Sequence, residues 1–165
     1  INPNYHLQID TVIFEKYEAL LKTSQKPEYY EHLLESYTGK YLMEIKEDHS
    51  VLSKRVYYHS LFMDKTIEYA MLLEEQKEYE KMERIARQAI AIDNLEECIY
   101  EILIRSLYFQ KQYKKAKDTY KTTTDLLYQT LGVKPSQSLL ELYEMIKKET
   151  HDDELSSVQR YLMGI

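Results

Sequence analysis

The run Gln76-Lys77-Glu78-Tyr79-Glu80-Lys81 returns 34 residues later as Gln110-Lys111-Gln112-Tyr113-Lys114-Lys115. A motif recurring at that period between amphipathic segments marks an array of two-helix units. A single unit of this kind has nothing of its own to cover its apolar faces, so neighbouring units must stack. Apolar residues at helical spacing surround each copy: Tyr79, Met82, Ala86, Ala89 and Ile90 run up to Asp93-Asn94, and Ile99, Ile102, Leu103 and Leu107 to Gln110-Lys111. Tyr113, Ala116, Tyr120, Thr123 and Leu127 then lead to Gly132, and Pro135-Ser136 starts a further helix through Leu139, Leu142, Tyr143 and Ile146. Connections of a few residues set neighbouring helices antiparallel.

Upstream, Asp10 is placed to cap a helix carrying Ile13, Tyr17, Leu20 and Leu21, which Ser24-Gln25-Lys26-Pro27 breaks. A shorter helix carries Tyr30, Leu33, Leu34 and Tyr37 and stops at Thr38-Gly39, and Tyr41-Leu42 follows as an apolar elbow. Leu52, Val56, His59, Met63, Thr66/Ile67, Ala70 and Leu73 alternate at three and four, the mark of one long helix with Asp48 or Ser50 as cap. Tyr5, Leu7 and Ile9 alternate with His6, Gln8 and Asp10, a period of two that reads as a short strand. An isolated strand leaves its own backbone groups unpaired, so it either docks on the helices or closes a domain lying upstream, and the second reading is preferred. After Thr150, His151-Asp152-Asp153-Glu154 reads as a polar break before an amphipathic tail with Leu155, Val158, Tyr161 and Leu162.

The chain has 165 residues, 44% hydrophobic and 30% charged, with only three glycines and three prolines. That supports one core and leaves too few turn residues for a sandwich or barrel, so the expected class is all-α. A net charge of −6 works against sequence-independent binding of nucleic acid. Cys98 is the only cysteine, which excludes an internal disulfide and suits a reducing cytoplasm. The sequence shows neither a membrane span nor a signal peptide.

Candidate chemistry is sparse. The five histidines are scattered without zinc spacing, and Glu44, Asp48 and His49 read as a solvated helix start in preference to a ligand set. His59 lies on the apolar stripe as a core histidine, and Cys98 reads as a structural thiol. With three glycines no phosphate-cradling loop can be built. Neither catalytic residues, cofactor nor metal is expected. Lys111, Lys114, Lys115, Lys117 and Lys121 form a basic edge interrupted by Asp118, read as a solvent face in preference to a phosphate-contacting strip. The seventeen tyrosines are read as amphipathic packing residues.

Aligned on the period, Met82 and Ala116, Ala86 and Tyr120, and Ala89 and Thr123 fall at the packing positions of a tetratricopeptide repeat, which the chain resembles. The expected architecture is a tetratricopeptide-like, right-handed stack of antiparallel helix pairs. Its concave surface would present Asp64, Met71 and Glu74 from one helix and Glu101, Arg105 and Tyr108 from the next, a partner groove rich in the residue types that dominate interfaces.

Four local patterns carry a more specific likeness: Tyr5-His6-Leu7-Gln8-Ile9-Asp10 leading to Phe14; Tyr37-Thr38-Gly39-Lys40-Tyr41-Leu42; Ala89-Ile90-Ala91-Ile92-Asp93; and Leu131-Gly132-Val133-Lys134-Pro135-Ser136. In this order, from Tyr5 to Ile146, the chain resembles the bacterial transcriptional activator domain of the antibiotic-regulatory-protein class of activators. It departs from that family at His49, where tryptophan is usual, and at Lys134, which replaces an acidic residue. The resemblance implies that residues 1–9 end an upstream winged helix or form a linker, that 10–150 are the activator domain, and that 151–165 are a tail or linker. It also implies a cytoplasmic, non-enzymatic regulatory domain that self-associates or contacts RNA polymerase. DNA would be reached only through the upstream domain. The alternative is a free-standing tetratricopeptide adaptor or peptide-sensing protein.

Overall fold

A computed structural model of the chain describes the backbone of residues 3–39 and 49–163, and the side chains of 11–39 and 49–150. Seven helices and no strand occur among the described residues. They are α1 (Pro3–Leu21), α2 (Pro27–Ser36), α3 (His49–Glu75), α4 (Tyr79–Ile92), α5 (Glu97–Phe109), α6 (Tyr113–Leu131) and α7 (Gln137–Met163). They form two compact units, Ile1–Leu72 and Leu73–Ile165.

In the first unit α1 runs through Asp10 from Pro3, so the strand expected over Tyr5–Ile9 is absent and Asp10 is not a cap. Tyr5, Ile9, Ile13 and Tyr17 are also spaced by four. The short alternation therefore satisfies a helical repeat equally well, and a helix pairs its own backbone where a lone strand does not. Helix α2 starts at Pro27, whose missing N–H costs nothing at a first turn, and Gly39 beyond its end adopts φ 72°. The elbow at Tyr41-Leu42 and the candidate cap Asp48 lie outside the described residues.

Aromatic rings fasten the three helices of this unit. Phe14 of α1 lies edge-on to Tyr58 of α3, with centroids 5.7 Å apart, and Tyr37 stacks on Phe62 at 4.6 Å. Tyr30 of α2 and Tyr69 of α3 lie parallel at 5.1 Å, and each reaches past the other to a carboxylate on the opposite helix. Tyr30 Oη donates to Glu68 at 3.2 Å and Tyr69 Oη to Glu31 at 2.8 Å, and Tyr58 donates to Glu15. These bonds decide which stripe of α3 turns inward. Val51, Tyr58, Phe62, Thr66 and Tyr69 are buried, whereas Leu52 and Val56, expected in the core, are exposed, Val56 by 67%. The expected stripe holds further along, where Met63, Thr66, Ala70 and Leu73 are buried, and in the first half of α3 the register holding the aromatics prevails because it buries more area and finds the bonding partners.

Burial, with Glu68 beside it, pushes the Tyr30 phenol up to about 12. An unfolded phenol titrates near ~10. The stability that Tyr30 contributes is thus fully present below about pH 10 and lost as pH rises from about 10 to 12. Denaturant unfolding at pH 9 and pH 11 should show a loss that is smaller in Tyr30→Phe than in the wild type.

In the second unit the 34-residue repeat holds down to the backbone. Lys77 and Lys111 both sit in the left-handed region, at φ 60° and 59°. The turn bonds correspond pair by pair: Lys77 N–H to the Glu74 carbonyl at 3.0 Å and Lys111 N–H to Tyr108 at 2.9 Å, then Glu78 N–H to Leu73 at 2.8 Å and Gln112 N–H to Leu107 at 2.9 Å. Side chains bearing Cβ are disfavoured there, by ~1 kcal/mol. Lys77→Gly and Lys111→Gly are each expected to stabilise the unit by about 0.5–1 kcal/mol in denaturant titrations, although they add no contact.

Core positions follow the same register, with Leu73 and Leu107, Met82 and Ala116, and Ala89 and Thr123 all buried. Thr123 stands where the preceding repeat has alanine, and its hydroxyl is buried with no hydrogen-bond partner among the described residues. Helix α4 packs on α5, α5 on α6, and α7 on both α5 and α6. Tyr79 stacks on Phe109 at 4.9 Å and Tyr120 on Tyr143 at 4.1 Å, so these tyrosines serve as packing residues, whereas Tyr57 and Tyr128 are exposed. Gly132 closes α6 at φ 68°, and the Ser136 hydroxyl caps α7 by accepting from Leu139 N–H at 3.3 Å. The polar break expected at His151–Glu154 is not seen, and α7 continues to Met163. No glycine or proline lies between Gln137 and Met163, and polar residues alone do not stop a helix.

Candidate partner surface

The six residues expected to line a groove divide between the units. Asp64 and Met71 belong to the first, seven residues apart on α3 and both exposed, Met71 by 63%. The other four lie in the second unit and take part in one polar face. The Arg105 guanidinium is 2.7 Å from Glu101 on its own helix and 3.5 Å from Glu74 at the end of α3. The second oxygen of Glu101 accepts from Ser138 Oγ of α7 at 2.7 Å, and Glu97 accepts from the Ser136 N–H at 3.0 Å. Tyr108 Oη donates to Glu149 of α7 at 3.4 Å, and desolvation followed by the charge of Glu149 holds its phenol above the usual value.

Sequence reasoning missed Glu97, Ser136, Ser138 and Glu149. The capping serine was the available signal, because it fixes where α7 begins and hence which carboxylates its first turn meets. The face offers four carboxylates to one guanidinium, and that guanidinium is already held by two of them. It is equipped to accept hydrogen bonds and positive charge, and each of its partly exposed ion pairs contributes at most ~1 kcal/mol.

His49 is exposed at the start of α3, with Glu44 and Asp48 outside the described residues, and His59 is half-buried on α3. Cys98 is exposed in the first turn of α5, and partial desolvation together with Glu96 pushes its thiol up, away from the thiolate that nucleophilic chemistry needs. No described helix is long and apolar enough to cross a membrane.

The family model of the bacterial transcriptional activator domain matches residues 9–147. The chain belongs to that family. This bacterial transcriptional activator domain is thus a domain of transcription regulation, and its all-helical repeat of paired helices agrees with the likeness in its local motifs. The match covers α1 from Ile9 onward and ends within α7, so it takes in most of each unit. No curated protein matches the chain.

Proposed function

We propose that this activator domain holds protein partners, either RNA polymerase or a second copy of itself, while a winged-helix domain before it reads DNA in the cytoplasm. The family match over residues 9–147 carries the reading. Two physical features support it. A net charge of −6 suits a domain that leaves DNA to another part of the protein. The acceptor-rich face around Arg105 suits recognition, and the proposal assigns it no catalysis. The upstream reader rests on the family likeness and no longer on a strand at Tyr5–Ile9.

Two measurements test this. The intact native gene product should have a mass well above 19.9 kDa, with a winged-helix segment encoded before Ile1. A mass near 19.9 kDa would overturn the proposal in favour of a free-standing adaptor. Within the intact regulator, Arg105→Glu should lower capture of RNA polymerase or of a second copy and leave promoter occupancy unchanged. Unchanged capture would remove the α5 face from the proposal.

A further inference from the structure

Helix α6 carries a second stripe that its packing leaves uncovered. Its buried face is Ala116, Thr123 and Leu127, with Tyr120 stacked on Tyr143 of α7. One position round the helix, Lys114, Lys117, Lys121, Tyr128 and Leu131 succeed one another at steps of three, four, seven and three. That spacing keeps them on one face over about 25 Å of helix. Tyr128 is 64% and Leu131 51% exposed. The result is a solvent-facing row that is basic in its first half and apolar in its second.

No ion pair within 4 Å forms at Lys114, Lys117 or Lys121 among the described residues. Six basic side chains, from Lys22 just beyond α1 to Lys147 on α7, lie within 4 Å of a carboxylate among the described residues, and none of them belongs to α6. Asp118 and Asp125 stand four residues beyond Lys114 and Lys121, yet neither pair closes. With lysine on the N-terminal side, the pair runs against the helix dipole and is the weaker orientation. Charge that goes uncompensated within the fold, in line with exposed aromatic and aliphatic side chains, is free to be compensated from outside.

We propose that this stripe docks an acidic amphipathic helix of a partner protein, its carboxylates on Lys114, Lys117 and Lys121 and its apolar side chains on Tyr128 and Leu131. The apolar half argues against a nucleic acid backbone as the occupant, since phosphates give Tyr128 and Leu131 nothing to pack on. Duplex DNA, with one charge per ~1.7 Å, would also meet long-range repulsion from a chain of net charge −6. A short segment with a few carboxylates avoids most of that repulsion and buries the exposed side chains. This surface is separate from the α5 face and does not depend on it.

The test is fluorescence anisotropy of the whole chain against two synthetic helical peptides. Both carry glutamates at one end of a single face and leucine and phenylalanine at the other, in opposite chain directions. One of the two should bind at micromolar concentration in low salt and weaken as salt rises. Lys114→Glu with Lys121→Glu should weaken binding by about tenfold or more, because attraction becomes repulsion at two sites. Tyr128→Ser should weaken it several-fold, and Arg105→Glu should leave it unchanged. Lys114, Lys121 and Tyr128 are exposed, so the thermal unfolding of these variants should match the wild type and exclude misfolding as the cause. Four results would each overturn the proposal: no binding of either peptide, equal binding by the charge-reversed chain, preference for random-sequence duplex DNA, or a self-association that the same charge reversal abolishes, which would assign the stripe to a second copy.

Discussion

Leu107→Ala is expected to destabilise the second unit by about 3 kcal/mol. Leu107 is fully buried, and its counterpart one repeat earlier, Leu73, is buried at 1% exposure. Helix α5 packs against α4, α6 and α7, so three neighbours hold the walls of the cavity apart and little of the lost contact can be recovered by collapse. The matching control is Leu140→Ala on α7, a residue 41% exposed, where the loss should stay within about 0.5 kcal/mol. Denaturant unfolding of both variants reads the difference. A loss below about 1 kcal/mol for Leu107→Ala would mean that the repeat register, which places this leucine at the centre of the stack, is wrong.

Tyr69→Ala should have a larger effect in the first unit, about 4 kcal/mol. Tyr69 is completely buried, lies flat against Tyr30 and donates to Glu31. The substitution removes a ring from the core and its stacking partner from Tyr30. Tyr69→Phe separates the two contributions, since it keeps the ring and loses only the hydroxyl, at a cost of about 1 kcal/mol with the half-buried Glu31 returned to water. Because the chain forms two compact units, the losses should be followed by hydrogen exchange at amides of α2 and α3, which reports the first unit separately. Protection in α5 and α6 that falls as far as in α2 would show the two units unfolding as one.

How much of this could be read beforehand varied with the kind of signal. The helices from Tyr79 to Leu131 were legible because one turn sequence occurs twice and its two copies adopt the same left-handed lysine and the same pair of backbone bonds. Periodicity alone misled in three places. Six alternating residues at Tyr5–Asp10 fit a strand and a helix equally, and the stripe expected on α3 holds from Met63 to Leu73 but fails at Leu52 and Val56, where the tyrosine hydroxyls find Glu15, Glu31 and Glu68 only if Tyr58, Phe62 and Tyr69 turn inward. The charged run at His151–Glu154 looked like an interruption, but without glycine or proline a helix continues through it. The polar face was half legible. Glu74, Glu101, Arg105 and Tyr108 follow from the register of the repeat, whereas the α7 residues that join them lie beyond the second copy of the turn motif, with no further copy to fix their phase.

Transcription in vitro from a promoter that the intact gene product occupies tests the central claim most directly. The regulator lacking residues 9–147 is predicted to occupy that promoter with unchanged affinity and to lose activation of transcription. Activation that survives the deletion, or promoter occupancy that disappears with it, would contradict the assignment of these residues to partner contacts.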